Sequence, residues 1–129
     1  MKDDNFIVFG APAIGADEIY EVTDSLETGW LGTGPKVRRF ESQFKEYSGA
    51  NHAVALNSCT AALHLSLRSL GIGPGDEVIT TPLTFCATIN SIIHTGATPI
   101  LADIDRASMN IDPQRIIERI TNKTKCILP

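Results

Sequence analysis

The chain has 129 residues, which is enough for one domain or part of one. Apolar residues make up 43% and charged residues 20%, as in ordinary globular proteins, and no apolar run approaches the roughly 20 residues that span a bilayer. A net charge of −4 without a basic stripe excludes a nucleic-acid-binding surface. The acidic start Met1–Asn5 is unlike a secretory signal, and three scattered cysteines suit a reducing compartment. We therefore expect a cytoplasmic protein with no nucleic-acid or membrane partner.

Residues 1–50 predict two amphipathic helices joined by a glycine-rich loop. Asp17–Thr28 carries apolar residues at spacings of three and four, the pattern of a helix with one buried face. The loop Trp30–Gly34 follows. Pro35 suits the first turn of a second helix, which Gly49 ends.

Residues 51–129 alternate between short apolar strands and helices. Strands are predicted at 52–56, 77–81, 98–104 and 125–128. Helices are predicted at 59–70, 84–95 and 112–120. This rhythm indicates the α/β class, with a mostly parallel sheet flanked by helices and ligands at the carboxyl ends of its strands. The last strand has no crossover after it, so we expect an incomplete portion of a larger domain.

The segment Asn57–Leu63 predicts an anion site at the start of a helix. Small hydroxyl residues between a strand and a helix leave backbone N–H groups that, with the helix dipole, favour a phosphate. Ser58 has no nucleophile-elbow glycines around it, which favours a role as a cap or phosphate contact. Cys59 at a helix start has a physical basis for thiol reactivity, a less favoured alternative.

A second candidate is Phe85, just past the strand predicted at 77–81. Its ring could stack on a flat ligand or belong to the core, and the sequence leaves both open. Asp103 and Asp105 follow another strand, where a solvated loop is favoured over a cation site. No metal site is predicted, because the histidines lack ligand spacing.

The sequence resembles the DegT/DnrJ/EryC1/StrS family of pyridoxal-phosphate sugar aminotransferases. The resemblance covers essentially the whole chain and rests mainly on the stretches Thr28–Pro35, Asn57–Leu65 and Gly71–Phe85. It implies the large domain of fold type I enzymes that use pyridoxal phosphate, and a homodimer with active sites at the subunit interface. It also implies transfer of an amino group, usually from glutamate, to a keto group on a nucleotide-linked sugar, in polysaccharide or glycoside biosynthesis.

The resemblance further implies roles for individual residues. The amides of Cys59 and Thr60, the Thr60 hydroxyl and neighbouring Ser58 would bind the cofactor phosphate. Phe85 would stack on the pyridine ring. The loop around Trp30 would lie near the substrate opening or the dimer contact.

The resemblance places the Schiff-base lysine beyond Pro129, so no catalytic residue is predicted within this chain. None of its lysines has the family's context; they are Lys2, Lys36, Lys45, Lys123 and Lys125. The chain is therefore expected to be inactive by itself. Two alternatives stay open: a sugar dehydratase of the same fold, with histidine in place of that lysine, and a non-catalytic association domain.

Overall fold

The computed structural model describes residues 9–129, which divide into compact units at residues 55 and 56. The prediction for Met1–Asn5 lies outside the described residues. None of the helices within residues 9–129 is long and apolar enough to cross a membrane.

The first unit contains two helices, α1 (Ala16–Glu27) and α2 (Pro35–Ser48), close to the predicted bounds. At the start of α1, the Glu18 carboxylate accepts the Gly15 N–H at 2.6 Å. Helix α2 ends at Gly49, whose φ of 68° is the left-handed conformation that glycine adopts without strain.

The second unit is a three-stranded parallel sheet with helices. Its elements are α3 (Cys59–Ser69), β1 (Glu77–Thr80), α4 (Cys86–Thr95), β2 (Thr98–Leu101), α5 (Pro113–Arg119) and β3 (Thr124–Leu128). The strand order is β2-β1-β3, so β1 is central and α4 crosses over from β1 to β2. Parallel pairing confirms the predicted βαβ arrangement for 77–128.

The core of this unit lies between β1 and the two helices α3 and α4. Val78 of β1 packs with Leu67 of α3 and Ile92 of α4, and Ile72 and Ala97 complete the cluster. The central strand is buried at Val78, Ile79 and Thr80, as expected for a strand with a neighbour on each side.

The strand predicted at 52–56 is wrong for the described structure. These residues lie outside any strand, and the Ala55 N–H donates to the Glu41 carboxylate at 2.9 Å. A strand needs a hydrogen-bonded neighbour, and none pairs with this segment within residues 9–129. The strand predicted at 98–104 is also shorter, since β2 ends at Leu101 and Ile104 forms an isolated antiparallel bridge with Ile111.

Candidate functional site

The start of α3 is shaped by Ser58, the residue that caps it. Ser58 has extended backbone angles, and its Oγ accepts the Ala61 N–H at 3.1 Å. Its carbonyl accepts the Ala62 N–H, also at 3.1 Å. The first of these contacts satisfies one of the N–H groups that a helix start leaves unpaired, and the second is the first hydrogen bond of the helix itself.

The N–H groups of Cys59 and Thr60, the first two residues of α3, have no acceptor among residues 9–129. Both side chains are exposed, and the Thr60 hydroxyl makes no hydrogen bond in the same part of the chain. Two free amides, a free hydroxyl and the positive end of a helix dipole fit a dianionic phosphate. These groups, the Cys59 and Thr60 amides with the Thr60 hydroxyl, are called the cradle below, and they are the groups to which the resemblance assigns the cofactor phosphate.

Phe85 lies at the start of α4, where it is the residue before the first helical turn. Phe85 is 77% exposed, so the interpretation of Phe85 as a core residue is wrong for the described chain. An exposed ring at the carboxyl end of β1 is available to a flat ligand.

Helices α3 and α4 pack on each other and run in the same direction. A Cβ atom added at Gly73 would lie 3.8 Å from the Thr95 carbonyl oxygen and 3.9 Å from Arg68 Nη1, so the carboxyl ends of both helices meet at this glycine. Their amino ends therefore lie at the opposite edge, where β1 ends. This packing predicts that the cradle and Phe85 lie at the same edge of the sheet, on the side that α3 and α4 cover.

Thr80 adds a buried hydroxyl at the same end of β1. Its Oγ1 is the one buried side-chain oxygen or nitrogen without a hydrogen-bond partner in residues 9–129. Leaving such a group unpaired costs about 1–3 kcal/mol. No sequence pattern distinguishes Thr80 from the neighbouring Thr81 and Thr84, so sequence reasoning missed this feature.

Trp30 belongs to the first unit and is held against Gly34. Its indole Nε1 donates to the Thr33 carbonyl at 3.3 Å, and a Cβ at Gly34 would lie 1.6 Å from that nitrogen. Trp30 also borders a cavity of about 200 Å³, together with Lys36 and Asp24. Glycine at position 34 is thus a steric requirement of the indole.

The charges next to this loop are paired between α1 and α2. Lys36 Nζ lies 2.7 Å from Glu21 and 2.9 Å from Asp24, and Arg39 lies 2.5 Å from Glu21. Hydrogen bonds from Lys36 and Arg39 hold the pKa of Glu21 below its usual range. Lys36 and Arg39 are therefore both paired with carboxylates of α1.

Comparison with known proteins gives the family. Residues 12–129 match the family described as DegT/DnrJ/EryC1/StrS aminotransferases. The chain belongs to this family. It is 57% identical over 129 residues to the spore coat polysaccharide biosynthesis protein SpsC of Bacillus subtilis, covering all of this chain and 33% of SpsC.

Solved structures show the same relationship. Spr1654 of Streptococcus pneumoniae, a candidate sugar aminotransferase, is 45% identical with a TM-score of 0.91, covering 95% of this chain and 31% of Spr1654. An aminotransferase from Psychrobacter cryohalolentis is 41% identical with a TM-score of 0.85, covering 90% of this chain and 30% of the other. These likenesses confirm the predicted fold type I large domain, of which the chain is a part. The chain spans about one third of the length of these relatives.

The cofactor predicted from the resemblance is the one that the Spr1654 structures name. Spr1654 has been solved in PLP, PMP and apo forms, the first two being the aldehyde and amine forms of the same cofactor. The family's cofactor is pyridoxal phosphate. The free amides of the cradle and the exposed ring of Phe85 fit its phosphate and its flat pyridine.

Proposed function

We propose that this chain forms part of an enzyme that uses pyridoxal phosphate to transfer an amino group, from glutamate, to a keto group on a nucleotide-linked sugar. The product would serve polysaccharide or glycoside biosynthesis in the cytoplasm. The observation that carries the proposal is a free cradle at the start of α3 and an exposed Phe85 at the start of α4, on two helices that pack on each other, in a chain of a sugar aminotransferase family.

Ser58, Cys59 and Thr60 would hold the phosphate. The cap at Ser58 fixes the first turn of α3, so the amides of Cys59 and Thr60 are oriented before the ligand arrives. Preorganised donors lose little entropy on binding. The Ser58 hydroxyl can still donate its own proton while its oxygen accepts the Ala61 N–H.

Phe85 would hold the planar pyridine ring in one orientation by stacking on it. When bound, the cofactor supplies an electron sink for the carbon that exchanges its amino group. The task of Phe85 is to restrict the ring to one plane, which a stacked aromatic does without adding charge.

The remaining parts of the active site are proposed from the family. The Schiff-base lysine would come from beyond Pro129, and a second subunit would complete the site in a homodimer. Trp30, fixed by Gly34, would contact the nucleotide-sugar substrate from the loop before α2.

The cradle is tested by removing one amide N–H. Cys59 is the first residue of α3, a position that accepts proline, and the extended Ser58 is compatible with a following proline. Cys59→Pro removes the N–H, whereas Cys59→Ala removes only the thiol. We expect Cys59→Pro to weaken binding of pyridoxal phosphate to this chain roughly 10-fold or more, as for a hydrogen bond to a charged group.

Calorimetry with two ligands separates the phosphate from the ring. Cys59→Pro should weaken both inorganic phosphate and pyridoxal phosphate, and Phe85→Leu should weaken pyridoxal phosphate alone. Equal affinities of Cys59→Pro and Cys59→Ala for pyridoxal phosphate would contradict the proposed role of the cradle in binding the cofactor phosphate.

The reaction is tested on a protein that contains this chain with the remaining two thirds of the family's length. With glutamate and a panel of keto-sugar nucleotides, it should form 2-oxoglutarate. Loss of water from the sugar without 2-oxoglutarate would indicate the dehydratase instead.

A further inference from the structure

His64 of α3 and His94 of α4 face each other across the packed helices. Their ring centroids are 6.0 Å apart, with an angle of 69° between the ring planes. Neither ring has a hydrogen-bond partner within residues 9–129. His64 is half-buried and His94 is exposed, so solvent reaches the pair.

We propose that His64 and His94 form a site for a divalent transition-metal ion, with Zn²⁺ as the representative ligand, joining α3 to α4. Imidazole nitrogens suit Zn²⁺, Cu²⁺ and Ni²⁺. Zinc binds an imidazole nitrogen at about 2.0–2.1 Å, so one ion can bridge rings at this separation once one ring turns. Turning is permitted because neither ring is held by a hydrogen bond in the described chain.

Of the charges around the two rings, the helix dipole favours a bound cation and one side chain opposes it. His94 is in the last turn of α4, where the carbonyl end of the helix dipole favours a cation. Arg68, one turn after His64, opposes a cation, but its guanidinium reaches toward Gly73 beyond the end of α3. No other histidine, cysteine or carboxylate completes a group of three in residues 9–129. Water would fill the remaining positions, which makes the site open and exchangeable rather than closed and structural.

This site is independent of the proposed reaction. Its consequence is mechanical, because an ion shared by two helices stabilises their packing. Helix α3 starts at the cradle, so the ion would stiffen the element that presents the amides.

The test is a Zn²⁺ titration of this chain, followed by the side-chain nitrogen resonances of its histidines and by calorimetry. Both His64 and His94 should shift together at one equivalent, and His52 in the other unit should not. His64→Gln and His94→Gln should each weaken binding at least 10-fold, while His52→Gln should change it less than 2-fold.

A double variant, Cys59→Ala with Cys86→Ala, distinguishes imidazole from thiol ligands and should bind as the parent does. Unchanged affinity in either His64→Gln or His94→Gln, or loss of binding in the cysteine variant, would overturn the proposal.

Discussion

The two units differ in the interactions that stabilise each of them. The helices of the first unit bury no residue, and apolar side chains such as Val22 and Phe40 remain exposed. Its recorded ion pairs join α1 to α2 through Glu21, Asp24, Lys36 and Arg39. The second unit has a buried central strand and an apolar cluster against α3 and α4. An amphipathic pattern therefore predicts a helix in both units, but burial of its apolar face is realised only where a sheet lies beneath it.

The largest expected effect is in the core of the second unit. Ile92→Ala removes a side chain with no exposed surface and should lower the free energy of unfolding by about 2–5 kcal/mol, measured by urea denaturation. Its neighbour Ile93 is 52% exposed, so Ile93→Ala should change the same quantity by less than about 0.5 kcal/mol. Similar losses in both variants would contradict the assignment of the core to this face of α4.

The next effect concerns the first unit, where packing at one point is tight. Gly34→Ala places a Cβ on the indole of Trp30 and should destabilise this unit by about 1–3 kcal/mol. Gly32→Ala is the matched control, since a Cβ there meets open space. Trp30 is the single tryptophan, so its fluorescence should shift to longer wavelength only in Gly34→Ala. Identical spectra in the two variants would contradict the close contact between the Trp30 indole and Gly34.

The smallest effect is electrostatic. Because Lys36 and Arg39 lower the pKa of Glu21, their pairing stabilises the folded chain above the ordinary carboxylate pKa of about 4.3 and is lost as pH falls below it. Lys36→Gln should make the acid loss of helix content shallower at low salt, followed by circular dichroism. Lys45→Gln, at a lysine with no ion pair recorded in the described residues, should keep the parent slope.

Local sequence patterns were sufficient to predict much of the secondary structure of this chain. The apolar periodicity of α1 and α2, the glycine after α2 and the small hydroxyl residues before α3 each predict their structure from nearby residues. The segment 52–56 has the same kind of strand signal as 77–80, yet only the latter pairs within the described chain. Strand pairing depends on residues far away in sequence, which an apolar run does not specify.

In the candidate site too, some features could be predicted from local sequence and others depend on contacts between distant residues. The capping role of Ser58 and the free amides follow from the residue type before a helix. The steric demand of Trp30 on Gly34 and the unpaired Thr80 hydroxyl depend on three-dimensional contacts, and the sequence alone contained no signal for them.

One further consequence comes from Pro99, in the middle of β2. The N–H of Thr98 donates to Asp76 and that of Ala102 to Thr80, so residues 98 and 102 direct their donors toward β1. Pro99 lies between them with the opposite orientation, on the outer margin of the strand, where its missing N–H removes a docking point for any additional strand. Strand β3 has no proline within it. The two edges of the described sheet therefore differ in their capacity to pair with another strand. An additional strand, including one from a misfolded copy, would find a hydrogen-bond donor missing at β2, whereas no proline removes a donor within β3.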